Sequence, residues 1–321
     1  MPDKTELERI SLERAGRFRI LVCVDGSDES YRGLRYAATL SREKDSDVVL
    51  LYVRPVDQGL RSGGLQVRVA RENMLKWGLE LPGIQYLKKG RDMLMEDAEA
   101  SEWNEKSTHT EVDGDPLGDN KIEYTNAEGK MIVLKLKTAT NIATGILDQY
   151  NLGPYDLIVL GSSGRWGGLA KGFWDPAVAE KVAVHAPCAV LVVRDLEAGG
   201  EHLACTDGSE RARQMLERLG QFALRSGATI SLLSVSLDVE GEDEARGFVS
   251  EAEKCLRELG APVGQTLTRV GNPVEEIIEA GKDYSMVALA DTGKSGIQRF
   301  FMGSVAFKVM EFAENSVMIV R

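Results

Sequence analysis

Residues 284–321, YSMVALADTGKSGIQRFFMGSVAFKVMEFAENSVMIVR, contain the pattern that decides the fold of this chain. The stretch begins with an apolar run at Met286–Leu289 and ends with another at Val317–Val320. Short apolar runs flanked by turn residues are typical of strands that are buried on both faces of a sheet. Between them lies a glycine-containing loop and then a helical pattern, with Ser304 after Gly303 as its predicted N-cap. Backbone N–H groups at such a helix start can bind an anion, so the sequence predicts a phosphate site here.

The same plan occurs a second time in residues 155–194, YDLIVLGSSGRWGGLAKGFWDPAVAEKVAVHAPCAVLVVR. Both stretches consist of an apolar strand, a glycine loop, a helix rich in Ala and Val, and a final apolar strand that ends in arginine. The upstream parts also match, because the turn Asp25-Gly26-Ser27 returns as residues 207–209. Such self-similarity predicts a tandem repeat. Strands that alternate with helices predict a mainly parallel α/β sheet with right-handed crossovers.

The repeat divides the 321 residues into two domains of unequal length. We expect a charged tail at residues 1–16, a first domain at 17–196 and a second domain at 201–321. Each domain is long enough to bury a core of its own.

The extra length of the first domain falls at about residues 54–137, which we predict to be an insertion of helices and a hairpin. Within it, Ser107–Asn120 is predicted to be a polar loop, which is either a solvated surface loop or an interaction or lid element. The other predicted elements are helices at Arg68–Gly78 and Gln85–Trp103 and a hairpin of Lys121–Thr125 with Lys130–Lys137.

The composition indicates an acidic globular protein without metal or disulfide chemistry. A net charge of −11 argues against nucleic acid or acidic membranes as the main partner. The four cysteines form no CxxC pair and the three histidines lie far apart in sequence, so we predict no metal site and a reducing compartment. The N-terminus lacks an apolar signal segment, and no apolar run reaches membrane-spanning length. We therefore expect a cytoplasmic protein.

The repeated unit resembles the universal stress protein family in its tandem form. The family is marked by an Asp that closes the first strand and, after the fourth strand, by Gly-x-x-Gly, nine residues, and Gly-Ser or Gly-Thr. The resemblance implies a Rossmann-like, five-stranded, mainly parallel open sheet in each domain. It also implies that the last strands, Val190–Val193 and Val317–Val320, pair with each other within this chain. Family members that keep the loop tend to bind ATP.

The resemblance and the topology of such sheets together predict a nucleotide site in the second domain. The carboxylate of Asp207 would accept hydrogen bonds from the adenosine part, and Val235 would touch the base. Backbone N–H groups at Gly293 and Gly303, with the Ser304 hydroxyl, would hold phosphate. The predicted residues are Asp207, Val235, Ala290, Gly293, Gly303 and Ser304.

Two residues of this loop depart from the favourable pattern. Ala290 replaces the first Gly, which costs about 1 kcal/mol if that position needs a positive φ, and more if its Cβ blocks the phosphates. Asp291 adds a negative charge, whereas Lys294 or Arg299 could add a positive one. Asp207 itself has an alternative role as a residue of a helix-leading turn.

The corresponding site of the first domain is predicted to be degenerate. Pro176 occupies the place of the second-domain Gly303, after eleven residues instead of nine, and proline has no N–H for a phosphate. Asp175 would cap this helix and repel an anion. The residues of this weaker site are Asp25, Val53, Gly161 and Gly164.

Three functions are compatible with these observations. The first is an ATP-binding or other adenine-nucleotide-binding regulatory protein of the stress response, with the second domain as the main site. The second is a nucleotide-free scaffold that binds a protein partner through the insertion; a homodimer is also left open. The third is an enzyme, which we do not expect beyond slow ATP hydrolysis, because no catalytic triad order or Walker-type lysine is present.

Overall fold

Strands and helices alternate through both halves of the chain, which confirms the predicted α/β class with mainly parallel strands. The chain divides into two units, residues 1–156 and 157–321. The computed structural model describes residues 16–55, 82–96, 103–112, 115–162, 176–197, 199–291 and 302–321.

The first unit consists of parallel strands that are extended by antiparallel ones. Its elements are β1 (Phe18–Cys23), α1 (Asp28–Leu40), β2 (Ser46–Pro55), α2 (Pro82–Glu96), β3 (Asn104–Val112), β4 (Asp115–Thr125), β5 (Met131–Ala139) and α3 (Ile142–Asn151). The strand order is β1-β2-β5-β4-β3, and only β4 runs antiparallel to both of its neighbours. Strands β1 and β2 are nearly continuous apolar runs because both of their faces are covered.

The prediction of a polar loop at Ser107–Asn120 is wrong. Strands β3 and β4 pair from Asn104 opposite Thr125 to Val112 opposite Asp115. The side chains of residues 104–110 are exposed, so this strand lacks the apolar alternation by which a strand is usually recognised. The predicted hairpin of Lys121–Thr125 with Lys130–Lys137 is confirmed as parts of β4 and β5.

The predicted helix at Gln85–Trp103 is observed as α2, which begins three residues earlier, and Trp103 lies outside it. The predicted helix at Arg68–Gly78 and the tail up to residue 15 lie outside the described residues. Helix α2 packs on α1 and β2, so this part of the predicted insertion belongs to the core of the unit.

The second unit contains a complete five-stranded parallel module. Its elements are β6 (Leu157–Gly161), α4 (Pro176–His185), β7 (Ala189–Val193), β8 (His202–Cys205), α5 (Glu210–Ser226), β9 (Ile230–Ser236), α6 (Glu242–Glu258), β10 (Val263–Val270), α7 (Pro273–Gly281), β11 (Met286–Ala290), α8 (Ser304–Phe312) and β12 (Ser316–Val320). The strand order is β10-β9-β8-β11-β12-β7-β6. The chain winds outward from β8 to β10 and then returns to the other side of β8, so the winding reverses between β8 and β11.

The predicted pairing of the two last strands is confirmed. Strands β12 and β7 run antiparallel, with Val317 opposite Val192 and Ile319 opposite Val190. All five residues of each strand are buried. The junction is thus a continuous apolar sheet rather than a polar seam.

Candidate functional site

A cleft of about 540 Å³ lies at the carboxyl ends of β8, β9 and β11, where the winding of the second unit reverses. In doubly wound sheets this position forms a crevice that binds ligands. The first turns of α7 and α8 complete the walls. The apolar side chains of the lining larger than alanine are Leu233, Val235, Pro273, Ile277, Leu289 and Val305.

Five of the six predicted site residues of the second domain line this cleft together: Asp207, Val235, Ala290, Gly303 and Ser304. The sixth, Gly293, lies outside the described residues, as do Lys294 and Arg299. Their role in binding a nucleotide stays a prediction.

The start of helix α8 differs from the prediction that Ser304 is its N-cap. The N-cap is Gly303, with φ −62° and ψ 149°, and Ser304 is the first helical residue. The Gly303 carbonyl accepts the first helical hydrogen bond, from the Phe307 N–H at 2.9 Å. Gly303 carries no side chain that could cap this helix. Ser304, Val305 and Ala306 of its first turn line the cleft, so their N–H groups lie where they can bind an anion.

Ala290 carries no backbone strain. No described residue other than glycine has a positive φ, so Ala290 does not incur the conformational cost of about 1 kcal/mol that a positive φ would impose. The Ala290 side chain is 6% exposed and forms part of the cleft wall.

Both Asp-Gly-Ser turns have the same local structure. The Asp25 carboxylate accepts hydrogen bonds from the Ser27 N–H (2.9 Å) and hydroxyl (2.5 Å), and Asp207 accepts one from the Ser209 N–H at 3.0 Å. The two serines are the N-caps of α1 and α5. Asp207 therefore does act as a turn residue, which was its alternative role. Its carboxylate is nevertheless exposed and lines the cleft.

The negative charge of Asp291 is paired with the C-terminal arginine. Arg321 Nε donates to Asp291 Oδ2 at 2.8 Å. The same guanidinium donates to the carbonyls of Ala186 (2.6 Å), Val184 (3.2 Å) and Ala183, at the C-terminal end of α4.

Arg194 makes the reciprocal contacts at the end of the other last strand. Its guanidinium donates to the carbonyls of Met310 (2.5 Å) and Asn315 (3.1 Å), at the C-terminal end of α8. A cation at this place interacts favourably with the helix dipole. Burial lowers the pKa of Arg194 to about 10, so it remains charged at neutral pH. The helix that lines the cleft is thus held by an arginine from the first repeat.

The residues of the predicted weaker site are placed as follows. Asp25 follows β1, and Val53 lies near the end of β2 with only 3% exposure. Helix α3 lies so close that a Cβ at Gly145 would be 2.5 Å from Val53 Cγ1. Gly161 ends β6, Pro176 begins α4, and Gly164 and Asp175 lie outside the described residues.

The titratable groups of β8 are buried. Burial lowers the pKa of His202 to about 4 and raises the pKa of the Cys205 thiol. His202 is therefore a neutral core residue at physiological pH, and Cys205, which borders the cleft, is a neutral thiol. Where the structure describes the chain, His, Cys, Asp and Glu side chains form no cluster that could hold a metal ion.

Sequence reasoning missed two parts of this region. Pro273 and Ile277 of α7 line the cleft. Helix α7 follows β10, whereas the predicted motif residues follow β8 and β11. The pair of Asp291 and Arg321 was also missed. Its signal was the arginine that ends both last strands, Arg194 and Arg321.

The fold and the cleft define a class: a tandem α/β protein with a doubly wound sheet and a crevice at its switch point. The model of the universal stress protein family matches residues 16–194 and again 202–321. The chain belongs to this family. It is 21% identical over 306 residues to the universal stress protein Slr1230 of Synechocystis sp., covering 94% of this chain and 99% of that protein.

Solved structures share the fold over nearly the whole chain. A universal stress protein of Archaeoglobus fulgidus superposes with a TM-score of 0.52 at 15% identity, covering 94% of this chain and 96% of that one. A Pseudomonas aeruginosa protein of unknown function reaches 0.55 at 14% identity, covering 97% and 94%. Within the described ranges, no helix is both long and apolar enough to cross a membrane.

Proposed function

We propose that this protein is an adenine-nucleotide-binding regulatory protein of the stress response, which binds ATP mainly in the second-repeat cleft. The observation that carries this proposal is the cleft itself, which combines an apolar wall, the Asp207 carboxylate and the start of α8. Its volume of about 540 Å³ falls within the usual range of small-molecule sites.

Each part of the cleft suits one part of a nucleotide. Val235 and Ile277 offer an apolar surface to the adenine ring, and the exposed Asp207 can accept hydrogen bonds from ribose hydroxyls. The first-turn N–H groups of α8, with the Ser304 hydroxyl, can donate to phosphate oxygens. Gly293 is proposed to complete this phosphate site.

We propose that the first repeat does not bind a nucleotide in this manner. Pro176 stands at the first helical position of α4, so its ring nitrogen has no hydrogen to donate. Val53, the counterpart of Val235, is buried beneath α3. Both differences reduce the room and the donors that a nucleotide needs.

The expected role is binding rather than turnover. The cleft is lined by Asp207 and otherwise by uncharged residues among those that the structure describes. We therefore expect ATP hydrolysis slower than about 1 s⁻¹, the low end of usual enzyme rates.

Equilibrium dialysis with ATP tests the proposal with two matched variants. Gly303→Val adds a side chain at the cleft without backbone strain, because φ is −62°, and should weaken ATP binding at least about tenfold. Ala177→Val adds similar bulk beside Pro176, at the start of α4, and should leave ATP binding unchanged. Equal retention of ATP by both variants would rule the second-repeat site out.

A protein-binding scaffold is the second candidate, and β3 is the observation that favours it. This strand pairs with β4 along one edge, and its side chains from residue 104 to 110 are exposed. Exposed edges of sheets can pair with an extended segment of another chain. Deletion of residues 104–125 should then abolish capture of a partner and leave ATP binding intact; capture that persists argues against this candidate.

A further inference from the structure

Asp291 is the first residue beyond the part of β11 that lines the cleft, and it carries a carboxylate. It directly follows Ala290, which lines the cleft together with Gly303 and Ser304. An uncompensated negative charge at this place would repel an anionic ligand.

Arg321 supplies the compensating charge. Its Nε donates to Asp291 Oδ2 at 2.8 Å, and the two side chains are 11% and 17% exposed. A pair that is this well shielded from water is screened by salt less than a surface pair.

The guanidinium of Arg321 is also fixed from its other side. Nη1 donates to the Ala186 carbonyl at 2.6 Å, and Nη2 donates to Val184 at 3.2 Å and to Ala183. These carbonyls end helix α4, where the helix dipole favours a cation. Arg321 could enter the cleft only by breaking its three hydrogen bonds to the α4 carbonyls, so any effect on a ligand is exerted from this position.

We propose that Arg321 sets the phosphate affinity of the second-repeat cleft by neutralising Asp291. It is a positioning residue that works through Asp291 and does not touch the ligand. This inference rests on the proposed function. It names a ligand class, since a nucleoside without phosphate should be indifferent to the pair.

Isothermal titration calorimetry with ATP and adenosine tests this proposal on wild type, Arg321→Met, and Arg321→Met combined with Asp291→Asn. Both variants lose the contacts with α4, so they differ only in the charge at position 291. Arg321→Met should bind ATP roughly tenfold more weakly than wild type. The double variant should recover to within about threefold of wild type. Adenosine affinity should be the same in all three proteins.

The outcomes separate this inference from the function on which it rests. Equal ATP affinity of the single and double variants, or an equal loss of adenosine affinity, overturns the role of Arg321 while the nucleotide site stands. Failure of the wild type to bind ATP overturns both. If Arg321→Met does not fold, Arg321→Gln with and without Asp291→Asn is compared in the same way and carries the same expectation.

Discussion

Apart from the added strands β3 and β4 of the first repeat, the two repeats share one order of strands and helices, and they differ at the carboxyl ends of their strands. In the second repeat, Val235 lines an open cleft beneath α7. In the first repeat, the matching Val53 is buried, because Gly145 lets α3 approach β2. Counted from the N-caps Asn141 and Asn272, the residue at the place of Gly145 in α7 is Glu276. A single position in the first turn of the helix thus decides how closely that helix approaches the end of the second strand.

We expect the largest change in stability at His202, where the first strands of the two repeats differ. His202 in β8 takes the place that Ile20 takes in β1, and both are fully buried. Burial holds the pKa of His202 at about 4 in the folded protein, against an ordinary value of 6.5. Between these two pH values the unfolded chain binds a proton at His202 and the folded chain does not. The stability that depends on neutral His202 is therefore fully present above pH 6.5 and is lost as the pH falls to 4.

His202→Ile should remove this loss, which amounts to about 3 kcal/mol at pH 4. The measurement is the free energy of unfolding in urea between pH 7 and pH 4. His109→Asn, which changes an exposed histidine of β3, should leave the profile of the wild type unchanged. A wild-type slope that survives in His202→Ile would contradict this assignment.

The second test concerns the arginines that end the two last strands. Arg194 is 6% exposed and donates to carbonyls at the end of α8, so Arg194→Met leaves buried acceptors without their donor. We expect a loss of about 2 kcal/mol in the free energy of unfolding. Arg257→Met, which removes an exposed pair with Glu253, should cost about 0.5 kcal/mol or less. Equal losses in the two variants would show that Arg194 does not hold α8.

We expect the smallest change in stability at Gly145, where α3 contacts Val53 in the first repeat. Gly145→Ala should destabilise the protein by about 1–2 kcal/mol, although alanine favours helices, because the new Cβ meets Val53 and Ala139. Gly247→Ala in α6 is the matched control, since its Cβ would meet nothing within 4 Å. That control should gain up to about 1 kcal/mol. A stabilising Gly145→Ala would mean that α3 does not press on β2.

The sequence predicted those features that depend on local patterns. Apolar runs such as Met286–Leu289 and the repeated Asp-Gly-Ser turns located the strands and the helix starts. The pairing of the last strands was implied by the family resemblance. These signals are local because a doubly buried strand and a capped helix each need particular residues at adjacent positions. The five cleft residues were predicted from the family resemblance together with the topology rule for doubly wound sheets.

Features that depend on contacts between distant residues were not predictable. Arg321 and Asp291 are 30 residues apart, and the arginine that ends both last strands marks a repeated feature without identifying Asp291 as its partner. The closure over Val53 depends on a glycine 92 positions later, which in sequence looks like a weak helix residue. Strand β3 was missed because both of its faces are polar, so only its pairing with β4 defines it.

Native mass spectrometry of the intact chain measures how many ATP molecules bind, and so whether only the second repeat holds a nucleotide. We predict one ATP per chain, lost in Gly303→Val and retained in Ala177→Val. Two ATP molecules per chain, or one that persists in Gly303→Val and disappears in Ala177→Val, would contradict it.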